Sequence, residues 1–131
     1  MEAVRLTLRI DFGANRALGP GKIRLLETIG KTGSISQAGK SLGMSYRRAW
    51  LLVDDLNSCF REQVVAKKLG GARGGGAVLT PFGRELIAKY RAIESRAKSA
   101  TRRQLRDLEI ALRVNRPKRR LKTSIAAATA R

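Results

Sequence analysis

The chain opens with apolar and polar side chains in strict alternation. Residues 4–12, VRLTLRIDF, are apolar at every second position, which is typical of a strand with one buried face. Residues 13–19 are predicted to form a loop. Pro20 suits the first turn of a helix over residues 20–31, because its missing N–H has no partner there in any case. The positions of that helix expected to face inward are Ile23, Leu26 and Ile29.

Two helices around a tight turn are predicted next. The hydroxyl of Ser34 can cap the amide of Gln37, and the Gln37 side chain can reach back, which makes S-x-x-Q a capping box. This first helix should end near residue 41. Gly43 can take up the left-handed conformation of a turn without steric cost, and Ser45 can cap the second helix.

Small residues near this turn favour a helix-turn-helix. A side chain larger than that of Gly39 would push two steeply crossing helices apart. The alternative left open is an ordinary helical hairpin with solvated arginines. The core stripe of the second helix has helical spacing and consists of Ala49, Leu52, Val53, Leu56 and Phe60.

The first turns of the second helix are the end predicted to be exposed. Rotation by about 100° per residue points Arg47 and Leu51 away from the core, with Arg48 to one side and Tyr46 and Trp50 on the flanks. A DNA-reading helix contacts bases with its first turns, and arginine paired with guanine is the commonest specific contact. This end is therefore the candidate for base recognition.

A β-hairpin is predicted directly after the second helix, in the position of a wing. Residues 64–69 and 77–80 have strand patterns, and the glycine-rich residues 70–76 form the turn. Arg73 at the tip is placed to enter a minor groove, while Lys67 and Lys68 can reach phosphates. The glycines also suggest a nucleotide-binding loop as an alternative. However, neither of the common motifs, G-x-G-x-x-G and G-x-x-x-x-G-K-[ST], matches them.

A long helix is predicted after the hairpin, with Thr80 as its N-cap and Pro81 at its first position. Its apolar stripe resembles a short coiled-coil seam that could pair two copies, although the same stripe could simply cover its own domain. The register slips near residue 100 and resumes at Leu105, Leu108 and Leu112. The predicted dimerisation residues are Leu86, Tyr90, Ile93 and Ala97.

Composition points to a polyanionic partner. The 28 Lys and Arg residues exceed the 10 Asp and Glu residues, which gives the 131-residue chain a formal net charge of +18 and a pI near 11.6. No apolar run approaches the ~20 residues of a membrane span, and the N-terminus lacks the pattern of a signal peptide. We therefore expect double-stranded DNA as partner, no membrane association, and a cytoplasmic, nucleoid-associated location.

The absence of histidine removes the commonest general base and metal ligand, and a single cysteine cannot build a zinc site. Cys59 lies beside the predicted core residue Phe60, so a buried thiol is favoured over a nucleophile. The sequence therefore predicts no enzyme activity, no metal and no cofactor.

Two segments carry a family resemblance. GSISQAGKSLGMSYRRAWLLVDDLN followed by GGARGGGAVLTPFG resembles the N-terminal winged helix-turn-helix DNA-binding domain of ModE-type, molybdate-responsive transcriptional regulators, and more loosely that of LysR-type regulators. The resemblance covers about residues 6–97. It implies a dimer joined through the helix after Pro81 and a roughly palindromic operator.

The C-terminus departs from this family. Full-length members carry molybdate-binding domains, whereas this chain offers a helix and a basic tail, and so resembles the single-domain form. Molybdate binding by this chain is therefore not expected, and a link to molybdate uptake genes rests on the resemblance alone.

These observations predict a mainly α protein with a small β part: a winged helix-turn-helix with a β-hairpin wing and a long C-terminal helix. Residues 1–113 would form the DNA-binding domain with its dimerisation helix, and residues 114–131 a disordered basic tail. The predicted function is sequence-specific transcriptional regulation, and the alternative is nonspecific or architectural nucleic-acid binding. The candidate DNA-binding residues are Ser34, Ser36, Gln37, Ser45, Tyr46, Arg47, Arg48, Leu51, Lys67, Lys68 and Arg73.

Overall fold

The computed structural model describes residues 4–68 and 76–113. Leu6–Ala100 forms one compact unit, and the helix that follows Thr101 belongs to a second. The predicted domain of residues 1–113 with its tail stays a prediction, and the tail, residues 114–131, lies outside the described residues. The elements are β1 (Ile10–Asp11), β2 (Ala17–Leu18), α1 (Pro20–Thr32), α2 (Ile35–Ser41), α3 (Tyr46–Cys59), β3 (Val65–Lys68), β4 (Gly76–Leu79), α4 (Pro81–Ala100) and α5 (Arg102–Ala111).

The predicted N-terminal strand is much shorter in the structure. Only Ile10–Asp11 pairs, antiparallel to Ala17–Leu18, with Ile10 opposite Leu18. The alternation still holds, because Leu6, Leu8, Ile10 and Phe12 are half-buried while the residues between them are exposed. A period of two reports burial on one face of an extended chain, whereas a strand also needs a hydrogen-bonding partner. The prediction was correct about burial and wrong about pairing.

Helices α1, α2 and α3 build the core, and α2 and α3 form the predicted helix-turn-helix. Gly43 has φ +73°, as the turn requires. A Cβ atom on Gly39 would lie 2.8 Å from that of Ala49, so only glycine permits this crossing. Leu52 and Phe60 are half-buried and pack against the core rather than lying inside it. The buried core residues of these helices are Ile23, Leu25, Leu26, Ile29, Ile35, Ala38, Ala49, Val53 and Leu56.

Strands β3 and β4 form the predicted wing. They pair antiparallel from Val65 opposite Leu79 to Lys68 opposite Gly76, and the tip between them lies outside the described residues. The wing is fixed to the helices through β4, because the amide of Ala77 donates a 2.9 Å hydrogen bond to the carbonyl of Gly33. The fold is therefore a winged helix-turn-helix, mainly α with a small β part, as the sequence predicts.

Helix α4 begins as predicted, since the Thr80 hydroxyl accepts a 2.9 Å hydrogen bond from the amide of Gly83. The predicted dimerisation stripe requires a correction. Leu86 and Tyr90 are only 7% and 1% exposed and belong to the core of their own chain, because the stripe faces α1 and the N-terminal segment. Ile93 is 47% exposed and Ala97 is half-buried.

The predicted slip of register is present as an interruption at Thr101 between α4 and α5. Helix α5 contains no buried residue, and its apolar side chains at Leu108 and Ile110 are exposed, as is that of Leu112 just after it. Cys59, at the end of α3, is a free and half-buried thiol, so it is less enclosed than the sequence indicated.

Candidate nucleic-acid interface

The first turns of α3 have the exposure that the sequence predicts. The hydroxyl of Ser45 accepts a 3.1 Å hydrogen bond from the amide of Arg48, which fixes the start of the helix. Arg47 and Arg48 are exposed, and Leu51 is 56% exposed although it is apolar. This end of α3 thus presents two guanidinium groups and one apolar side chain to solvent.

Tyr46 is more exposed than its predicted flanking position implied, at 59%. Its ring meets that of Trp50 edge to face, with the centroids 6.2 Å apart. Trp50 is half-buried, and its ring packs against the exposed ring of Tyr46. The two rings form an aromatic shelf on the side of α3 that faces the wing.

The start of α2 lies beside this shelf. The hydroxyl of Ser34 accepts a 3.0 Å hydrogen bond from the amide of Gln37, as predicted. The reciprocal half of the capping box was wrong, because the amide of Ser34 donates instead to the hydroxyl of Thr32, at 3.3 Å. That leaves the Gln37 side chain exposed, next to the exposed Ser36. Both can therefore meet a ligand approaching this helix.

The wing contributes two exposed lysines, Lys67 and Lys68. The ammonium nitrogen of Lys67 lies 5.9 Å from the ring centroid of Trp50, which is the geometry of a cation–π contact. This contact is a direct link between the wing and α3. Arg73, the candidate for the wing tip, lies outside the described residues.

These elements enclose an open cleft of about 710 Å³ between the N-terminal halves of α2 and α3 on one side and the wing on the other. It has polar and cationic edges and an aromatic wall. Such a cleft suits a sugar-phosphate backbone, which carries negative charge. Side chains that line it include Ser34, Ser36, Tyr46, Trp50, Lys67 and Lys68.

Charge changes sign along the outer face of α3. The first turn carries Arg47 and Arg48 at the positive end of the helix dipole, whereas Asp54 and Asp55 follow two turns later. Asp55 is partly neutralised by Lys22, whose ammonium lies 3.3 Å from its carboxylate. The attraction for an anion is therefore concentrated at the start of the helix.

Asn57 also lines the cleft, and sequence reasoning missed it. Its Oδ1 accepts hydrogen bonds from the amides of Val64 and Val65, at 2.7 and 3.1 Å, and its Nδ2 donates to the carbonyl of Val65 at 3.0 Å. An asparagine in the last turn of a helix, just before a strand, was the available signal, because asparagine is a weak helix former that readily bonds to backbone groups.

Among the described residues, no group of three or more His, Cys, Asp or Glu side chains could hold a metal ion. None of the helices in the described ranges is long and apolar enough to cross a membrane.

The sequence of the chain is similar to those of proteins named ModE. No family model matches. The chain is 43% identical over 96 residues, 73% of its length, to the molybdenum transport protein ModE of Azotobacter vinelandii, of which it covers 35%. It is 44% identical over 71 residues, 54% of its length, to the DNA-binding transcriptional dual regulator ModE of Escherichia coli (strain K12), of which it covers 27%.

One solved structure, a MarR family transcriptional regulator from Silicibacter pomeroyi, aligns with 83% of this chain and 66% of its own, at 21% identity and a TM-score of 0.44. The chain spans about a third of the length of the curated relatives that it matches. Over the N-terminal part of its length, the chain is similar to the ModE-type transcriptional regulators.

Proposed function

We propose that this chain is a sequence-specific DNA-binding transcriptional regulator of the ModE type. The observation that carries the proposal is the capped, exposed start of α3, where Arg47, Arg48 and Leu51 stand free beside a wing that bears two lysines. A helix in the major groove reads guanine with arginine and the thymine methyl group with an apolar side chain. The named function of the Escherichia coli relative supports the same reading.

Five further candidate residues have backbone-contacting roles in this proposal. The start of α2 would bind DNA phosphates on one side of the cleft through Ser34, Ser36 and Gln37. The wing would bind phosphates on the other side through Lys67 and Lys68, with the DNA strand in the cleft between them. These contacts fix the register of the protein on the duplex without reading bases. Insertion of Arg73 into a narrow minor groove stays a prediction.

Dimerisation is part of the proposal, because one winged helix reads only a few base pairs. Two copies about a twofold axis would read half-sites about 34 Å apart, or a multiple of that distance. With Leu86 and Tyr90 buried in their own chain, the apolar surface left on α4 is at Ile93, next to the half-buried Ala97. We propose the contact there.

The genes under control are proposed to concern molybdenum, because the Azotobacter vinelandii relative is named for molybdenum transport. Binding of the 131-residue chain to its site is expected to be independent of molybdate. Titration of the complex with molybdate, against sulfate at equal ionic strength, tests that expectation. A tenfold change in affinity specific to molybdate, about 1.4 kcal/mol, would contradict it.

Selection of bound sites from random duplexes tests the function itself. The expected result is one enriched motif that competes ~10³-fold or more better than bulk DNA at fixed salt. The second candidate function, nonspecific or architectural binding, is favoured by the net charge of +18 and predicts no enriched motif, with a steep salt dependence for every duplex.

A further inference from the structure

The amide side chain of Asn57 joins the last turn of α3 to the first residue of the wing. Three hydrogen bonds of 2.7–3.1 Å connect it to the backbone of Val64 and Val65. Both polar backbone groups of Val65 are thereby satisfied by one side chain, in the way that a neighbouring strand would satisfy them. We propose that Asn57 is a positioning residue for DNA recognition, which sets the angle between the wing and the base-reading end of α3. This inference rests on the proposed function.

The effect of the Asn57 contact on the position of Lys68 follows from the length of β3. Lys68 lies three residues beyond Val65, about 10 Å along the strand. A rotation of the wing by 10° about Val65 would move the backbone of Lys68 by about 2 Å. A small error at Asn57 would therefore make the lysine give up rotamer freedom to reach the same phosphate, while Arg47 remained in the groove.

The wing has other attachments, since Val65 and Ala77 are buried in the core, but Asn57 is the residue of α3 whose side chain bonds to the backbone of β3. The hydrogen bond from Ala77 to Gly33 fixes β4 to the end of α1, on the far strand of the hairpin. The contact of Lys67 with Trp50 is a cation–π interaction at 5.9 Å, which tolerates more variation in geometry than a hydrogen bond does. Asn57 supplies short, directional bonds from α3 itself to the near strand, β3.

A double-mutant cycle separates this role from a merely structural one. Asn57→Ala removes all three bonds, and Lys68→Ala removes the proposed phosphate contact without disturbing Lys67 on Trp50. We expect Asn57→Ala to weaken binding to the selected site about tenfold when Lys68 is present and less than threefold when it is absent, because contacts in one unit are not additive. In an Arg47→Ala background the full tenfold loss should remain.

Two further variants control for lost stability. Asn57→Asp keeps an oxygen for the amides of Val64 and Val65 but sets a carboxylate oxygen against the Val65 carbonyl, so any loss of affinity it causes should again be larger when Lys68 is present. Tyr90→Phe removes a hydrogen bond far from the wing, and any loss it causes should be the same with and without Lys68. All affinities are measured at a temperature where circular dichroism shows each variant folded.

The outcomes are distinguishable. If wild type selects a DNA motif and Asn57→Ala gives the same fold loss in both Lys68 backgrounds, or no loss, Asn57 does not position the wing and the proposed function stands. Should Asn57→Ala fail to fold, the same comparison made with Asn57→Asp decides. If wild type selects no motif, the proposed function falls and this inference falls with it.

Discussion

The hydroxyl of Tyr90 donates a 2.8 Å hydrogen bond to the carbonyl oxygen of Leu8, across 82 residues of sequence. Tyr90 is 1% exposed, so this bond satisfies a hydroxyl that would otherwise be buried without a partner. It fixes the N-terminal extended segment, whose backbone has little strand pairing of its own, to α4. It also explains why Tyr90 is part of the core and not of a seam between two copies.

Tyr90→Phe should lower the free energy of unfolding by about 1 kcal/mol at neutral pH, the usual net value of one buried hydrogen bond. Burial, assisted by the nearby charge of Glu94, raises the pKa of Tyr90 above its ordinary value of 10.0. The unfolded chain therefore loses this proton before the folded chain does, and stability falls as the pH rises through 10. Denaturant titrations of wild type and Tyr90→Phe between pH 8 and 11 check this: the difference between them should shrink above pH 10. A constant difference would contradict the assigned role of the hydroxyl.

Glu27→Gln should destabilise the protein by about 0.5–1 kcal/mol at pH 7, since the ion pair that it breaks is partly exposed and screened. The guanidinium of Arg91 binds both carboxylate oxygens of Glu27, at 2.8 and 3.0 Å, and joins α1 to α4. This hydrogen bonding lowers the pKa of Glu27 below 4.5, although burial opposes the shift. The stabilisation is therefore present above pH 4.5 and disappears as the pH falls through the folded-state pKa. Glu85→Gln, which breaks an exposed pair with Lys89 within α4, is the control and should cost less.

Gly39→Ala should destabilise the fold by about 1–3 kcal/mol and weaken DNA binding, because the new methyl group would overlap the Ala49 side chain and separate α2 from α3. Gly21→Ala is the matched control. Nothing lies within 4 Å of a Cβ atom there, and α1 is helical at that position, so a gain of about 0.5 kcal/mol is expected. Thermal denaturation of both variants decides: equal effects would mean that α2 and α3 do not depend on the small residue.

Arg47→Ala should cost about 1–3 kcal/mol on the best DNA site and relax the preference at one base pair. Arg96→Ala, which removes the same charge from an exposed position on α4, should weaken all duplexes slightly and equally. Site selection repeated with both variants gives the measurement. An unchanged motif with Arg47→Ala would assign this side chain to a phosphate.

The isolated chain should sediment as a dimer at the concentrations where it binds DNA, and Ile93→Asp should shift it toward the monomer, because a charge cannot be buried at the proposed contact. Val78→Asp, at a residue on β4 of similar exposure, serves as the control and should leave the mass unchanged. A monomeric wild type at binding concentrations would rule out the dimer.

Local sequence patterns determined the helices and the caps of α2, α3 and α4. Ser34, Ser45 and Thr80 each bond to the amide three residues further on, so the chemistry that starts each helix lies within the same few residues. The outward direction of Arg47 and Leu51 follows in the same way, because the 3.6-residue period fixes every angle once the core stripe is known. The winged helix-turn-helix fold and the exposed start of α3 could therefore be predicted.

Only the tertiary structure decided which apolar stripe is already covered and which backbone groups are already bonded. A sequence shows that Leu86 and Tyr90 are apolar on one face, but whether that face meets its own chain or a second copy depends on elements far away in sequence. The same applies to residues 6–9, whose alternation required burial but supplied no pairing strand, and to Asn57, whose partners exist only once the wing has folded back onto α3. Periodicity can be read from neighbouring residues, whereas the residues that a side chain contacts are decided by the folded chain.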